Sequence, residues 1–226
     1  MIDAARKVKG VPDNAVFLSG FSEGGWATLV AVQQLEAEGK PVLGAAPVAG
    51  PYDPRTLSVP AAMKGGAPSH ALYLAYAAWG QSAYYGHPLD SVLTADQAAL
   101  SERLFAGATP REILKALPSE PRRLFTPAFL AAYDAGRPNW FLDAFAEAGL
   151  TDLTPRAPVR LYYGSRDRDV APEEALVGAR DMRARGADAT AVDVGPLGHD
   201  ASMLAAAPLI FAWLGELEAA ERVSRR

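Results

Sequence analysis

At 226 residues, 50% of them hydrophobic and 21% charged, with mean hydropathy near zero, the chain has the makeup of one globular domain with material for a substantial core. A formal net charge of −4 with scattered basic residues argues against a phosphate-neutralising surface, so nucleic acid is not an expected partner. The absence of cysteine removes disulfides, thiolate metal sites and a cysteine nucleophile; it fits a reducing compartment but leaves the location open.

No run reaches the ~18–20 uninterrupted apolar residues of a membrane span, and "MIDAARKVKG" lacks the apolar middle of a signal peptide. Residues 2 to 9 read as a short helix stopped at Gly10, and "VPDN" turns the chain into the apolar run Ala15-Val16-Phe17-Leu18. That run does not alternate, the pattern of a strand covered on both faces in a parallel sheet. After "GFSEGG", Trp26, Leu29 and Val30 recur at helical spacing, and a helix runs from Gly25 to a stop at Gly39. The strand "PVLGAAPVAG" closes a strand, helix, strand unit with short connections, as in parallel sheets. From about residue 53 to 154 the texture is helical, with "HALYLAYAAWGQSAYYG", "PREILKALP" and "PAFLAAYDAG" separated by Pro and Gly. Sheet texture returns at "APVRLYYGSRD". A helix over "PEEALVGARDMRARG", a strand over "ATAVDV", the loop "GPLGHD" and a closing helix follow. Ile210, Trp213, Leu214 and Leu217 form an apolar stripe in that last helix, with Pro208 expected in its first turn.

Ser22 stands at the strand-to-helix turn in "GFSEGG". A nucleophile there needs small residues two positions to either side so that the backbones can pass; Gly20 and Gly24 supply them, and Gly25 adds room. The following helix aims its N-terminus at the serine, and the backbone N–H of Glu23 is the expected first donor to an oxyanion. A serine hydroxyl needs a base and a group that orients the base. Of three histidines, His70 and His87 lie in the helical region and read as ordinary loop or helix residues. His199 lies in a loop after the last strand, where its ring can reach the carboxyl ends of the strands. For the acid, Asp167 leads because it sits in the tight turn after Gly164. Asp169 is the alternative, otherwise expected to face solvent or cap the helix starting near Pro172. The order Ser, Asp, His is the one expected on a hydrolase sheet. His199 must be neutral to act as base, so any reaction through Ser22 is expected to slow below about pH 6.5. The aromatics Tyr73, Tyr76, Trp79, Tyr84 and Tyr85 read as packing within the helical region; Arg166, Arg168 and the tail "EAAERVSRR" read as solvated.

The words "GFSEGG", "APVAGPYD", "PAFLAAY", "GLTDLTPRAPVRLYYGSRDRDVAP" and the "GH" at His199 together resemble the α/β-hydrolase superfamily, and within it the secretory-lipase branch of lipases and esterases. The resemblance spans almost the whole chain. It implies an α/β fold of three layers, the C-terminal half of a hydrolase sheet with parallel strands, and a helical lid between nucleophile and acid. The expected division is a core at 1–52 and 155–226 with the lid at 53–154. It also implies no cofactor and no metal, a small-molecule or lipid ester as substrate, Ser22 as nucleophile, His199 as general base and acid, and Asp167 as the orienting carboxylate.

Against that pattern the nucleophile strand comes early, with only about fourteen residues before it. The first half of the usual sheet and one oxyanion-hole loop are then expected to be missing, and loss of one such donor typically costs a factor of ~10² to 10³ in turnover. An apolar edge strand of that kind calls for cover from a second copy, another polypeptide or an N-terminal extension. Two other readings compete with an esterase: a serine peptidase of the prolyl-oligopeptidase kind, and a degenerate hydrolase-fold domain acting as a binding module.

Overall fold

The computed structural model describes residues 16–150 and 152–224; the expected helix over residues 2 to 9 lies outside them. Four parallel strands make one sheet in the order β1-β2-β3-β4, with β1 Val16–Phe21, β2 Val42–Val48, β3 Val159–Tyr163 and β4 Ala189–Asp193. Helix α1, Glu23–Ala37, joins β1 to β2 and ends near Gly39, whose φ of 70° only glycine adopts readily.

Strand residues send alternate side chains to two apolar layers. Ala45, Val159 and Leu161 pack with Leu29 and Val32 of α1 and with Ala175, Ala179 and Met182 of α8, Glu173–Ala184. Ala46, Val48 and Tyr162 face the other way, onto Ala206, Ile210 and Trp213 of α9, His199–Ser224. The result is helix, sheet, helix, the architecture expected of a covered parallel sheet. One irregularity is written into β2. Ala45 and Ala49 donate their N–H groups to Pro158 and Tyr162 on the β3 side. The alternation therefore puts the missing N–H of Pro47 on that side too, and pairing between β2 and β3 is sparse there. Within the described sheet β1 is an edge, and none of its residues is fully buried.

Between β2 and β3 the described chain forms helices and no strand longer than the single Leu93–Phe125 bridge. After a wide helical turn at Pro54–Ser58 come α2 Val59–Lys64, α3 His70–Tyr85, α4 Ala95–Phe105, α5 Pro110–Ala116, α6 Pro127–Asp134 and α7 Trp140–Glu147. Short helices like these need their ends satisfied. Thr94, Thr109, Thr126 and Asn139 each accept a backbone N–H of the first turn, and Pro110 and Pro127 follow two of those threonines at positions where no donor is needed. These helices share an apolar core separate from the two sheet layers, built on residues such as Leu74, Leu93, Phe129 and Phe141.

The closing helix corrects the sequence reading in two ways. It begins at His199, so the histidine is its first residue and not a loop residue, and Pro208 lies well inside it and not in its first turn. The alanine-rich run Ala205-Ala206-Ala207 carries strong helix propensity up to the proline and extends the helix backward. Leu204 and Phe211 of this helix are exposed. By length and composition alone α9 could cross a membrane, with a hydropathy of 1.4 over its most apolar window.

Candidate active site

Ser22 sits between β1 and α1 with φ 57° and ψ −123°, a conformation that costs a non-glycine residue roughly 1–3 kcal/mol and must be held by its surroundings. Its N–H donates to the Val48 carbonyl of β2 at 2.9 Å, and its own carbonyl accepts from Gly25 at 2.8 Å. The glycines divide unevenly. A Cβ on Gly20 would lie 2.1 Å from the Gly24 carbonyl oxygen, and one on Gly25 would lie 2.9 Å from the Val48 oxygen and 3.1 Å from Gly50 Cα. One on Gly24 would meet open space, so the expectation that Gly24 is needed for clearance is corrected: the close approach is at Gly20 and Gly25, where the helix backbone crosses the strands. Ala49, just after β2, also has positive φ, 46°, a second strained residue beside the Ser22 turn.

His199 reaches this turn from the start of α9. Its Nε2 lies 2.9 Å from Ser22 Oγ and its Nδ1 lies 2.7 Å from Asp167 Oδ2. The carboxylate accepts, so Nδ1 carries the proton and Nε2 is left to accept from the serine hydroxyl. The ring packs on Phe21 with centroids 4.5 Å apart, and Ser202 Oγ donates to the His199 carbonyl at 2.6 Å. Burial works to lower the pKa of His199, but the hydrogen bond to Asp167 and the charges of Asp167, Asp169 and Asp200 outweigh it and hold it above the ordinary value of 6.5.

Asp167 is 6% exposed, in the turn after β3. Its N–H donates to the Gly164 carbonyl, and its Oδ1 accepts from the N–H groups of Asp169 at 2.9 Å and Val170 at 3.1 Å. Oδ2 is thereby directed at His199. A Cβ on Gly164 would lie 2.4 Å from the Leu197 carbonyl oxygen, so the acid turn and the loop before His199 can approach only because that position is glycine. Asp169 neither caps a helix nor faces away: it accepts from the Ser69 hydroxyl and lines the cavity beside Ser22. The Glu23 N–H, at the start of α1, donates no hydrogen bond among the described residues.

That cavity, of about 440 Å³, has an almost wholly apolar lining. One wall comes from α3, where Tyr73, Tyr76, Ala77 and Gly80 share a face, and Val59 and Phe145 close other sides. The aromatic group therefore divides: Tyr73 and Tyr76 line the cavity, Tyr76 and Trp79 pack with Phe105, and Tyr84 is exposed. His87 stacks on Trp140, whereas His70 is buried with Nε2 2.8 Å from the Arg168 carbonyl.

Sequence reasoning passed over Glu174. This residue is 1% exposed, and its Oε2 accepts from the backbone N–H groups of Tyr52 and Asp53, each at 2.7 Å, while Oε1 takes the Ser58 hydroxyl. It ties the segment after β2, whose Pro51, Pro54 and Ser58 line the cavity, to the first turn of α8. Burial raises its pKa against the pull of those hydrogen bonds. A glutamate in the first turn of a helix is ordinary, so nothing local marks this one.

No protein-family model and no curated protein matches the chain. Solved structures do. A Legionella pneumophila protein described as a hydrolase matches with a TM-score of 0.79 at 25% identity, covering 96% of this chain and 58% of its own. The rice cell wall degrading esterase LipA from Xanthomonas oryzae gives 0.75 at 25% identity, covering 84% and 55%. Candida antarctica lipase A gives 0.70 at 17% identity over 88% and 47%, a likeness of fold. The chain thus spans about half the length of the structures it matches. With its parallel sheet, flanking helices and these neighbours, the chain has the α/β fold of those hydrolases, and the solved structures it resembles are described as a hydrolase, an esterase and a lipase.

Proposed function

We propose that the chain carries the catalytic apparatus of a serine hydrolase acting on carboxylic esters. Ser22 is the nucleophile, His199 the general base and acid, and Asp167 the carboxylate that orients the imidazole. The observation that carries this reading is the unbroken hydrogen-bond line from Ser22 Oγ through both ring nitrogens of His199 to Asp167, with the serine strained at a strand-to-helix turn beside an apolar cavity.

Ser22 Oγ attacks the ester carbonyl carbon as its proton passes to His199 Nε2. The tetrahedral oxyanion accepts from the Glu23 N–H at the helix N-terminus, and Asp167 stabilises the imidazolium. Collapse breaks the bond to the alkoxy oxygen, which leaves as an alcohol with the proton from Nε2, and an acyl-serine remains. Water repeats the sequence and releases the carboxylic acid. The acyl chain lies in the cavity against α3, and the helices of residues 53–154 act as the lid that keeps bulk water from it.

The test is hydrolysis of short and medium-chain chromogenic esters. Ser22→Ala and His199→Ala should each lower kcat at least ~10³-fold in folded protein. Equal turnover by wild type and Ser22→Ala would rule the reading out.

A further inference from the structure

We infer that His70, with Ser69 beside it, is a positioning residue for the catalytic acid, clamping the Asp167 turn to the helix that walls the substrate cavity; this rests on the proposed roles of Ser22, His199 and Asp167. His70 opens α3 and is 3% exposed. Its Nε2 lies 2.8 Å from the carbonyl oxygen of Arg168, 98 residues away. A carbonyl only accepts, so Nε2 carries the hydrogen and donates. The preceding residue, Ser69, donates its hydroxyl to the carboxylate of Asp169. Two consecutive residues at the start of α3 therefore grip two consecutive residues of the acid turn.

The grip falls where it controls Asp167. The N–H groups of Asp169 and Val170 hold Asp167 Oδ1, and this leaves Oδ2 for His199 Nδ1 at 2.7 Å. The Arg168 carbonyl and the Asp169 N–H belong to one planar peptide unit. Holding that carbonyl thus holds the N–H that sets the carboxylate rotamer. The Arg168 side chain itself is exposed, so its engagement with α3 is through the backbone. A second cavity, of about 560 Å³, opens beside His70, Arg168 and Asp167; with the imidazole donor removed, water from it competes for the Arg168 carbonyl and the turn loosens.

The same helix presents Tyr73, Tyr76, Ala77 and Gly80 to the cavity beside Ser22. A shift of α3 on binding substrate is therefore felt at the acid turn, and the histidine serves to keep acyl pocket and triad in register. A leucine would fill the space as well, but it has no donor for the carbonyl.

Three variants test this: His70→Phe, which keeps a ring but no donor; His70→Gln, whose amide can donate to Arg168; and Ser69→Ala, at a half-buried position that tolerates truncation. His70→Phe should lower kcat about tenfold, the worth of one hydrogen bond at the upper end of the usual range, with KM within twofold. In the proton spectrum the downfield resonance of the His199 Nδ1–H bonded to Asp167 should move upfield or broaden. His70→Gln should restore most of both, and Ser69→Ala should shift the resonance in the same direction with a smaller loss of kcat, a result obtained even where His70→Phe does not fold. An unmoved resonance and unchanged kcat in the folded variants would overturn the assignment, as would a loss confined to KM. The resonance is read without turnover. A silent wild-type enzyme with a normal downfield signal would therefore count against the esterase reading and not against the clamp.

Discussion

His199 Nε2 and Ser22 Oγ, 177 residues apart in sequence, lie 2.9 Å from each other across the carboxyl ends of the strands. The contact joins the strained turn after β1 to the first residue of α9, and each partner is held by its own element. Ser22 is locked by the Val48 carbonyl and the two close glycines; His199 is locked by Asp167, Phe21 and Ser202.

The pH dependence follows from His199. Its pKa is raised, so the neutral imidazole is lost as pH falls through a midpoint above 6.5, and the acid limb of kcat/KM should lie on the alkaline side of that value. Asp167→Asn should move the limb down and lower kcat, because the carboxylate that favours the charged ring is gone. For stability the sign is opposite. A histidine whose folded pKa is raised contributes most below its unfolded pKa, and the contribution is lost as pH rises through the folded value. Unfolding curves from pH 5 to 9 should therefore show His199→Ala least damaging at the alkaline end.

Clearance at the Ser22 turn makes a second expectation. Gly25→Ala brings a Cβ to 2.9 Å from the Val48 oxygen and must push α1 away from β2. The expected result is about 2–4 kcal/mol less stability and a loss of the proposed esterase activity larger than the fraction unfolded explains. Gly24→Ala, facing open space, should leave stability within about 0.5–1 kcal/mol of wild type. Denaturant melts of the pair check the contrast.

Glu174 should separate charge from hydrogen bonding. Its folded pKa is raised, so its stabilising contribution is present at acid pH and lost as pH rises through that value. Glu174→Gln keeps an acceptor for the Tyr52 and Asp53 N–H groups without a buried charge. It should match wild type at acid pH and equal or exceed it above neutrality. Glu174→Leu leaves both N–H groups without an acceptor and should lose about 2–4 kcal/mol at every pH. Melting temperatures over pH 4 to 9 decide between these outcomes.

The depth of the proposed acyl site can be probed at Gly80. A Cβ there meets nothing within 4 Å, and the residue lines the cavity two helical turns from Tyr73. Gly80→Leu should lower kcat/KM for longer acyl esters about tenfold or more while leaving acetate esters little changed, and should raise helix stability slightly. Turnover across an acyl-length series measures it.

The sheet was legible because its strands are short apolar runs bounded by Gly, Pro and Asn, and the meeting of Ser22, Asp167 and His199 was legible because each follows a strand at its carboxyl end, His199 as the first residue of the closing helix. Residues that act across sequence were not legible. Nothing near His70 announces the Arg168 carbonyl, and nothing near Glu174 announces two backbone N–H groups more than a hundred residues away. Such partners exist only once helix and turn are packed together. The start of α9 departs from the sequence expectation for a different reason: Pro208 suits a first turn, but the alanines before it carry the helix back to His199.

The most direct test of the central claim is reaction of the protein with a fluorophosphonate probe, followed by mapping of the adduct. Ser22 should carry the phosphonyl group in wild type, labelling should slow at least ~10³-fold in His199→Ala, and pre-incubation with a slow ester should protect. A folded, unlabelled wild-type protein, or an adduct on any other residue, would contradict the assignment of Ser22 as nucleophile.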